Sequence, residues 1–295
     1  MIAEIAGILL PVFTLAVVGY AWRRLGFPFE REFVTRMIMN VSGPCLIVDS
    51  LSRLTLPMNE FLAMVGSSIA MFVLTAVCAF VILKMAGLSI RSYLPALAIG
   101  NNGNLGLPLC LFAFGQEGLG LAVAVYVTNS VGQFTLTPML QSRSSPWRTL
   151  ATTPVIYGAL IGAAVLGADV ELPAWIATTI SLLGDLMIPL MLLALGNTLG
   201  GLHAKRLPFA LGWGTARLAL GFLVALAIAE LFGLEGVAKG VLILQGAMPA
   251  AIFNYLFAAR YDRNPEDVAG IVLVSTVVGA LLLPGLVAYV LWVAA

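Results

Sequence analysis

Ten apolar windows of about twenty residues follow one another along this 295-residue chain, with only short polar gaps between them. They lie near 2–22, 33–52, 61–83, 93–115, 118–140, 150–168, 173–199, 207–230, 237–259 and 268–293. At 1.5 Å per residue, about twenty residues is what a helix needs to cross a ~30 Å hydrocarbon core. Only 10% of the residues are charged and 61% are hydrophobic, whereas a soluble domain carries about 25% charged residues. Such a chain cannot cover a water-facing surface with polar groups. The net charge of +1 leaves no basic surplus for a phosphate backbone, so nucleic acid is excluded as a partner. The sequence predicts an all-α polytopic membrane protein with lipid as its solvent.

Loop charges give the spans a direction. Odd-numbered loops hold Arg23, Arg24, Arg31, Arg36, Lys84, Arg91, Arg143, Arg148, Lys205, Arg206, Arg260 and Arg263, which is twelve of the fifteen Lys and Arg. Even-numbered loops hold Arg53 and Lys239, and Arg217 falls inside span eight. Positive charge favours the cytoplasmic side, so the odd loops are read as cytoplasmic and both termini as extracytoplasmic, in the cell (inner) membrane. Arg23 and Arg24 follow the first apolar run rather than precede it, unlike a cleaved signal peptide. Cys45, Cys78 and Cys110 all fall in apolar runs, and His203 sits beside Lys205 and Arg206. Neither a disulfide framework nor a metal cluster is expected.

The two halves of the chain resemble each other. Pro11-Val12 with Gly19 recurs as Pro154-Val155 with Gly162; Pro44 is matched by Pro189, and Pro108 by Pro249. Gly132 and Pro138 are echoed by Gly279 and Pro284. Residues 1–140 and 150–295 then form two five-span repeats joined by a short cytoplasmic linker at 141–149. Because five is odd, the second copy inserts upside down, which is the inverted-repeat plan of many secondary transporters.

Two spans carry breaks. Span four reads AIGNNGNLGLPLCLFAFG, placing Asn101, Asn102, Asn104 and Pro108 at mid-membrane depth. Span nine reads QGAMPAAIFNYLFAARY, with Gln245, Pro249 and Asn254. Asparagine and glycine are poor helix formers, and proline removes a donor and clashes with the preceding turn. Broken backbone survives in lipid only where protein or a cavity satisfies it. Two breaks crossing at the midplane would aim half-helix N-termini at one point, a setting suited to a carboxylate.

The motifs GNNGNLGLPL and AMPAAIFNYLFAARY resemble the crossover helices of the auxin efflux carrier family, which includes the plant PIN-FORMED carriers and bacterial malonate-type permeases. The resemblance extends over nearly the whole chain. It implies the fold of the bile-acid sodium symporters, with scaffold helices 1, 2, 6 and 7, transport helices 3–5 and 8–10, an elevator motion and a homodimer. It also implies that Asn101 and Asn102 are polar substrate contacts. The short central loop departs from the long one of the plant members.

Asp49, Asp185 and Arg217 lie within spans, where each costs roughly 2.5–3.5 kcal/mol on insertion scales and so needs a partner or a function. They are candidates for holding a coupling proton or sodium ion, Asp185 and Arg217 alternatively for a static ion pair, and Arg217 for answering a negative substrate. Tyr126, Asn129, Ser130 and Gln133 form a polar stripe on span five, suited either to a cavity wall or to a neighbouring helix.

The function expected is a secondary carrier of small organic anions, such as auxin-like or dicarboxylate compounds. The alternative is a sodium- or proton-coupled symporter or antiporter of the bile-acid symporter type. No HExxH, Walker loop or aspartate-rich motif is present, so no catalytic residue, resident metal or cofactor is expected. Single cysteines introduced at 143–145 should react only with reagent on the cytoplasmic side, and ones at 169–171 only with reagent outside. Labelling of both from one face would overturn the ten-span topology.

Overall fold

The computed structural model describes residues 2–54, 57–141, 151, 153–168 and 172–295. The linker at 141–149, with Arg143 and Arg148, therefore lies outside the described residues except for Gln141, as does the turn at 169–171. Among the described residues the chain is helical throughout, with one isolated antiparallel bridge and no strand.

The helices are α1 (Ile2–Arg24), α2 (Arg31–Met37), α3 (Gly43–Ser52), α4 (Met58–Met85), α5 (Ile90–Ala98), α6 (Leu107–Gln141), α7 (Pro154–Ala168), α8 (Ala174–Asp185), α9 (Met187–Leu199), α10 (Leu207–Leu231), α11 (Gly236–Gly246), α12 (Ile252–Arg260) and α13 (Pro265–Ala294). Among the described residues, six stretches are long and apolar enough to cross a membrane: Ile2–Arg24, Asn59–Met85, Asn102–Gln141, Ala174–Leu199, Leu207–Leu231 and Pro265–Ala294. The windows at 33–52, 93–115, 150–168 and 237–259 are instead short helices, or helices assembled from two pieces with an irregular joint. The chain is a multi-pass membrane protein in which breaks are part of the architecture.

Proline decides where the joints fall. Pro44 and Pro108 each follow a single π-turn, at Ile38–Ser42 and Asn102–Gly106. A proline lacks the N–H that would reach back to residue i−4, and its ring crowds that carbonyl. The ladder adapts by widening one turn, so Gly43 N–H donates to Ile38 O and Leu107 N–H to Asn102 O, five residues back. Pro189 follows the joint between α8 and α9 at Leu186, and Pro249 lies in the extended joint between α11 and α12. At Gly115 the backbone adopts φ 65° and ψ −154°, splitting α6 into two arms between the windows at 93–115 and 118–140. Only glycine takes that conformation without strain.

Packing sorts the helices into two groups. α1 lies along α9, and α3 against α7 and α8, while α10, α11 and α13 pack together with α4, α5 and α6. The α1–α9 contact is backbone to backbone. A Cβ on Gly19 would overlap the Leu193 carbonyl, and one on Gly196 the Ala16 carbonyl. Without water to drive apolar helices together, small residues that permit close approach supply the van der Waals contact.

Gly196→Val should therefore force α1 and α9 apart and cost about 1–3 kcal/mol, seen as a lowered melting temperature in detergent. Gly212→Ala, on an open face of α10, should leave melting unchanged or slightly raised. Equal melting of both variants would remove the close contact as a source of stability.

Candidate functional site

The two broken segments meet. Ile99, just past the end of α5, and Ala251, just before α12, are both extended, and Gly100 pairs with Ala250 in the antiparallel bridge. Asn101 N–H donates to Pro249 O at 2.7 Å, and Ala251 N–H to Ile99 O at 3.1 Å. Each break thus supplies partners for backbone groups that the other break freed from its helix.

Side chains reinforce the joint. Asn254 Nδ2 donates to Ile99 O at 3.1 Å, and Gln133 Nε2 from α6 donates to Asn254 Oδ1 at 3.1 Å. Asn102 Nδ2 donates to both the backbone O (2.9 Å) and Oε1 (2.8 Å) of Gln245. Ala250 N–H donates to Ser275 Oγ on α13 at 3.1 Å.

The pairing sorts the four helix ends by polarity. The N-terminal turns beginning at Asn102 and Ile252 open onto a cavity of about 110 Å³. The C-terminal ends of α5 and α11, at Ala98 and Gly246, border a smaller chamber of about 10 Å³ on the other side of Asn102. Helix N-termini carry free N–H groups and roughly +0.5 charge; C-termini carry free carbonyls and roughly −0.5.

Asn101, Asn102, Asn104, Tyr126, Asn129, Ser130 and Gln133 give the cavity its polar wall, with Thr35 and Thr198 contributed by α2 and α9. Ile38, Met39, Met191, Phe134 and Phe253 are among its apolar lining. Among the described residues, no carboxylate or cationic side chain lines it. Asn101 Nδ2 is buried without a partner, and the Asn104 side chain has none among the described residues. The polar stripe of span five is a cavity wall, and its Gln133 also bonds to the neighbouring α12 through Asn254.

Other residues singled out in the sequence sit elsewhere. Asn254 is a strut of the joint rather than part of the cavity lining, and Pro108 is buried in α6 behind it. Pro249 uses its carbonyl to pair with Asn101, and its ring borders a separate apolar groove between α1, α9, α10 and α13. Gln245 faces the small chamber, together with Thr75, Asn129 and Arg217.

Arg217 is 3% exposed, and its Nη2 reaches Gly246 O at 3.5 Å. The Arg217–Asp185 ion pair, the alternative to a coupling role, is not formed: neither residue belongs to an ion pair among the described residues. Asp185 is exposed at the end of α8. Asp49, expected near the outer end of its span, is buried and held by Arg53 at 3.0 Å, while Arg53 also donates to Ser181 of α8 at 2.9 Å. Both carboxylates therefore belong to the α3–α8 region and neither lines the cavity. Thr35, Thr198 and Met191 were missed in the sequence, since one hydroxyl or thioether in an apolar run carries no local signal.

Residues 137–287 match the model of a family described as membrane transport protein, a stretch that includes the second break. An uncharacterized transporter of Methanocaldococcus jannaschii is 24% identical over 94% of this chain and 96% of its own length. A putative malonate transporter of Rhizobium meliloti is 25% identical over 96% and 95%. Auxin efflux carrier component 1 of Arabidopsis thaliana is 30% identical over 41% of this chain and 20% of its own. With the family match spanning half of the chain and full-length relatives that are named as transporters, this chain belongs to the membrane transport proteins of the auxin efflux carrier family.

Proposed function

We propose that the chain is a secondary carrier of small organic anions, with the carboxylate bound where the α5–α6 and α11–α12 breaks cross. The observation that carries this is the polarity of the crossing. Two helix N-termini and the amides of Asn101, Asn104 and Asn129 face one cavity that no acidic side chain enters. Its volume of about 110 Å³ lies below the roughly 300–1,000 Å³ taken by drug-sized ligands, which favours a compact solute. The name of the Rhizobium relative, a putative malonate transporter, agrees with a short carboxylate.

On this reading the ten windows are ten crossings arranged as a 5+5 inverted repeat in the cell membrane, with both termini outside. The joints at Pro44 and Pro189, and at Pro108 and Pro249, are corresponding positions of the two repeats. The group containing α1, α3, α7, α8 and α9 is the scaffold. The group containing α4–α6 and α10–α13 is the transport unit that moves in elevator fashion, within a homodimer. A proton-coupled carrier would use a carboxylate at the crossing, and Asp49 and Asp185 lie away from it; a sodium ion would sit among half-helix carbonyls, and there Arg217 stands against the Gly246 carbonyl.

Purified protein should melt at higher temperature with short carboxylates, without a requirement for sodium. A ligand at 100 times its dissociation constant adds ~2.7 kcal/mol of stability. Stabilisation only by sodium, or only by cationic solutes, would reject the anion reading.

Asn101→Ala and Asn104→Ala should each weaken malonate binding by roughly ten- to more than a hundredfold, the worth of a hydrogen bond to a charged group, without altering the melting of the free protein. Asn254→Ala should instead lower that melting, because it removes the strut between Ile99 and Gln133. Unchanged malonate affinity in both Asn101→Ala and Asn104→Ala would take the asparagines out of the site.

A further inference from the structure

Arg217 is a full positive charge buried at the crossing, and among the described residues no carboxylate answers it. Its Nε and Nη1 have no partner, and its Nη2 meets only the Gly246 carbonyl at the end of α11. The space it fills is cut to fit. A Cβ on Gly100, in the first break, would overlap Nη2, and one on Gly221 would lie about 2.6 Å from Nη1. Around it stand Thr75, Asn102, Asn129 and Gln245, all neutral, with Ala98 and Gly246 at the C-terminal ends of α5 and α11. Asn102 and Asn129 also line the cavity, so one layer of amide side chains separates the guanidinium from the proposed anion site. A guanidinium keeps its proton at any accessible pH.

The charges at the crossing can be added. Two N-termini contribute roughly +0.5 each and two C-termini roughly −0.5 each, so the helix ends cancel and Arg217 leaves about +1. In transporters with broken helices, half-helix carbonyl ends hold the coupling cation. Here the guanidinium occupies the carbonyl side.

We propose that Arg217 is the built-in counter-charge of the transported anion and determines both its charge preference and the voltage dependence of the cycle. This rests on the anion-carrier reading and on the two breaks moving as one unit. A monoanion makes the loaded crossing nearly neutral, and the empty crossing returns carrying about one positive charge. An inside-negative membrane potential then acts on the empty return and not on the loaded step. One negative charge leaves per cycle without a sodium ion or proton.

Two experiments test this. Binding of malonate, malonamate and malonamide, which have similar shapes and fall from two negative charges to none, is measured by titration. Wild-type affinity should drop with each charge removed. Arg217→Gln should lose at least about tenfold for both anions while malonamide is unaffected, and Arg217→Lys should keep the wild-type ladder. A ladder as steep in Arg217→Gln as in wild type would overturn the proposal.

The second experiment needs only wild-type protein in liposomes, and so stands even where Arg217→Gln does not fold. Malonamate-for-malonamate exchange, which uses the loaded step alone, should not respond to an inside-negative potassium diffusion potential. Net malonamate efflux should be accelerated by it. Exchange as voltage-sensitive as net efflux would overturn the proposal. Absence of binding by both anions would instead reject the anion-carrier reading, and this inference with it.

Discussion

Everything at the centre of this protein depends on how broken backbone is satisfied in a solvent that offers no hydrogen bonds. Two helices are interrupted in the buried interior, around Gly100 and Ala250, and each unpaired N–H or C=O there would cost several kcal/mol. The structure answers by placing the interruptions side by side, so that Asn101 N–H meets Pro249 O and Ala251 N–H meets Ile99 O. Asn254, Asn102 and Ser275 satisfy further groups around the bridge. A single side-chain bond between membrane helices is worth only ~0.6 kcal/mol on average. These bonds therefore matter because of the penalty they avoid. Neither break is tolerable without the other.

That solution has an electrostatic consequence. An antiparallel meeting of two broken helices gathers the N-terminal ends on one side and the C-terminal ends on the other. The N-terminal side opens onto the cavity with Asn101 and Asn104, and the C-terminal side is met by Arg217. The crossing is thus an oriented dipole with a cation fixed at its negative end. On the proposed reading, the same arrangement that keeps the backbone satisfied makes the cavity attractive to a carboxylate. It also spares the site a charged side chain of its own. Asparagine amides are suited to that place, since they donate hydrogen bonds without carrying a full charge into lipid.

Several other ionisable groups tie neighbouring helices together. Asp49 is held by Arg53, which also reaches Ser181, and so ties α3 to α8. Arg206 and Tyr93 converge on Asp267 at 3.0 and 2.8 Å, joining the starts of α5, α10 and α13. Arg31 donates to the fully buried Asn197 at 3.0 Å and links α2 to α9. Desolvation and the nearby Arg23 both push the Arg31 pKa below the ordinary arginine value. None of these groups lines the cavity. The Arg206–Asp267 ion pair and the hydrogen bonds of Arg53 and Arg31 tie neighbouring helices together, while close glycine contacts such as Gly19 and Gly196 bring α1 and α9 to touching distance.

The sequence by itself determined the solvent, the helical class and two of the segments that break, while the joints at Leu186 and before Pro44 appeared only in the structure. Those follow from composition, from window length and from proline and glycine, all of which act within a few residues of themselves. The asparagines at 101, 102 and 104 were conspicuous for the same local reason, because polar residues in an apolar run need an explanation. Tertiary structure alone decided their division of labour. Asn101 and Asn104 face a cavity, Asn102 is tied to Gln245, and Asn254 braces Ile99. Three-dimensional packing also parted Arg217 from Asp185, which sequence position had allowed to pair, and set the arginine against the carbonyl end of α11. Span order says which helices exist, but a side chain's partner depends on the rotation of each helix and on neighbours over a hundred residues away. Those are fixed only when the two breaks pair and the helices close around them.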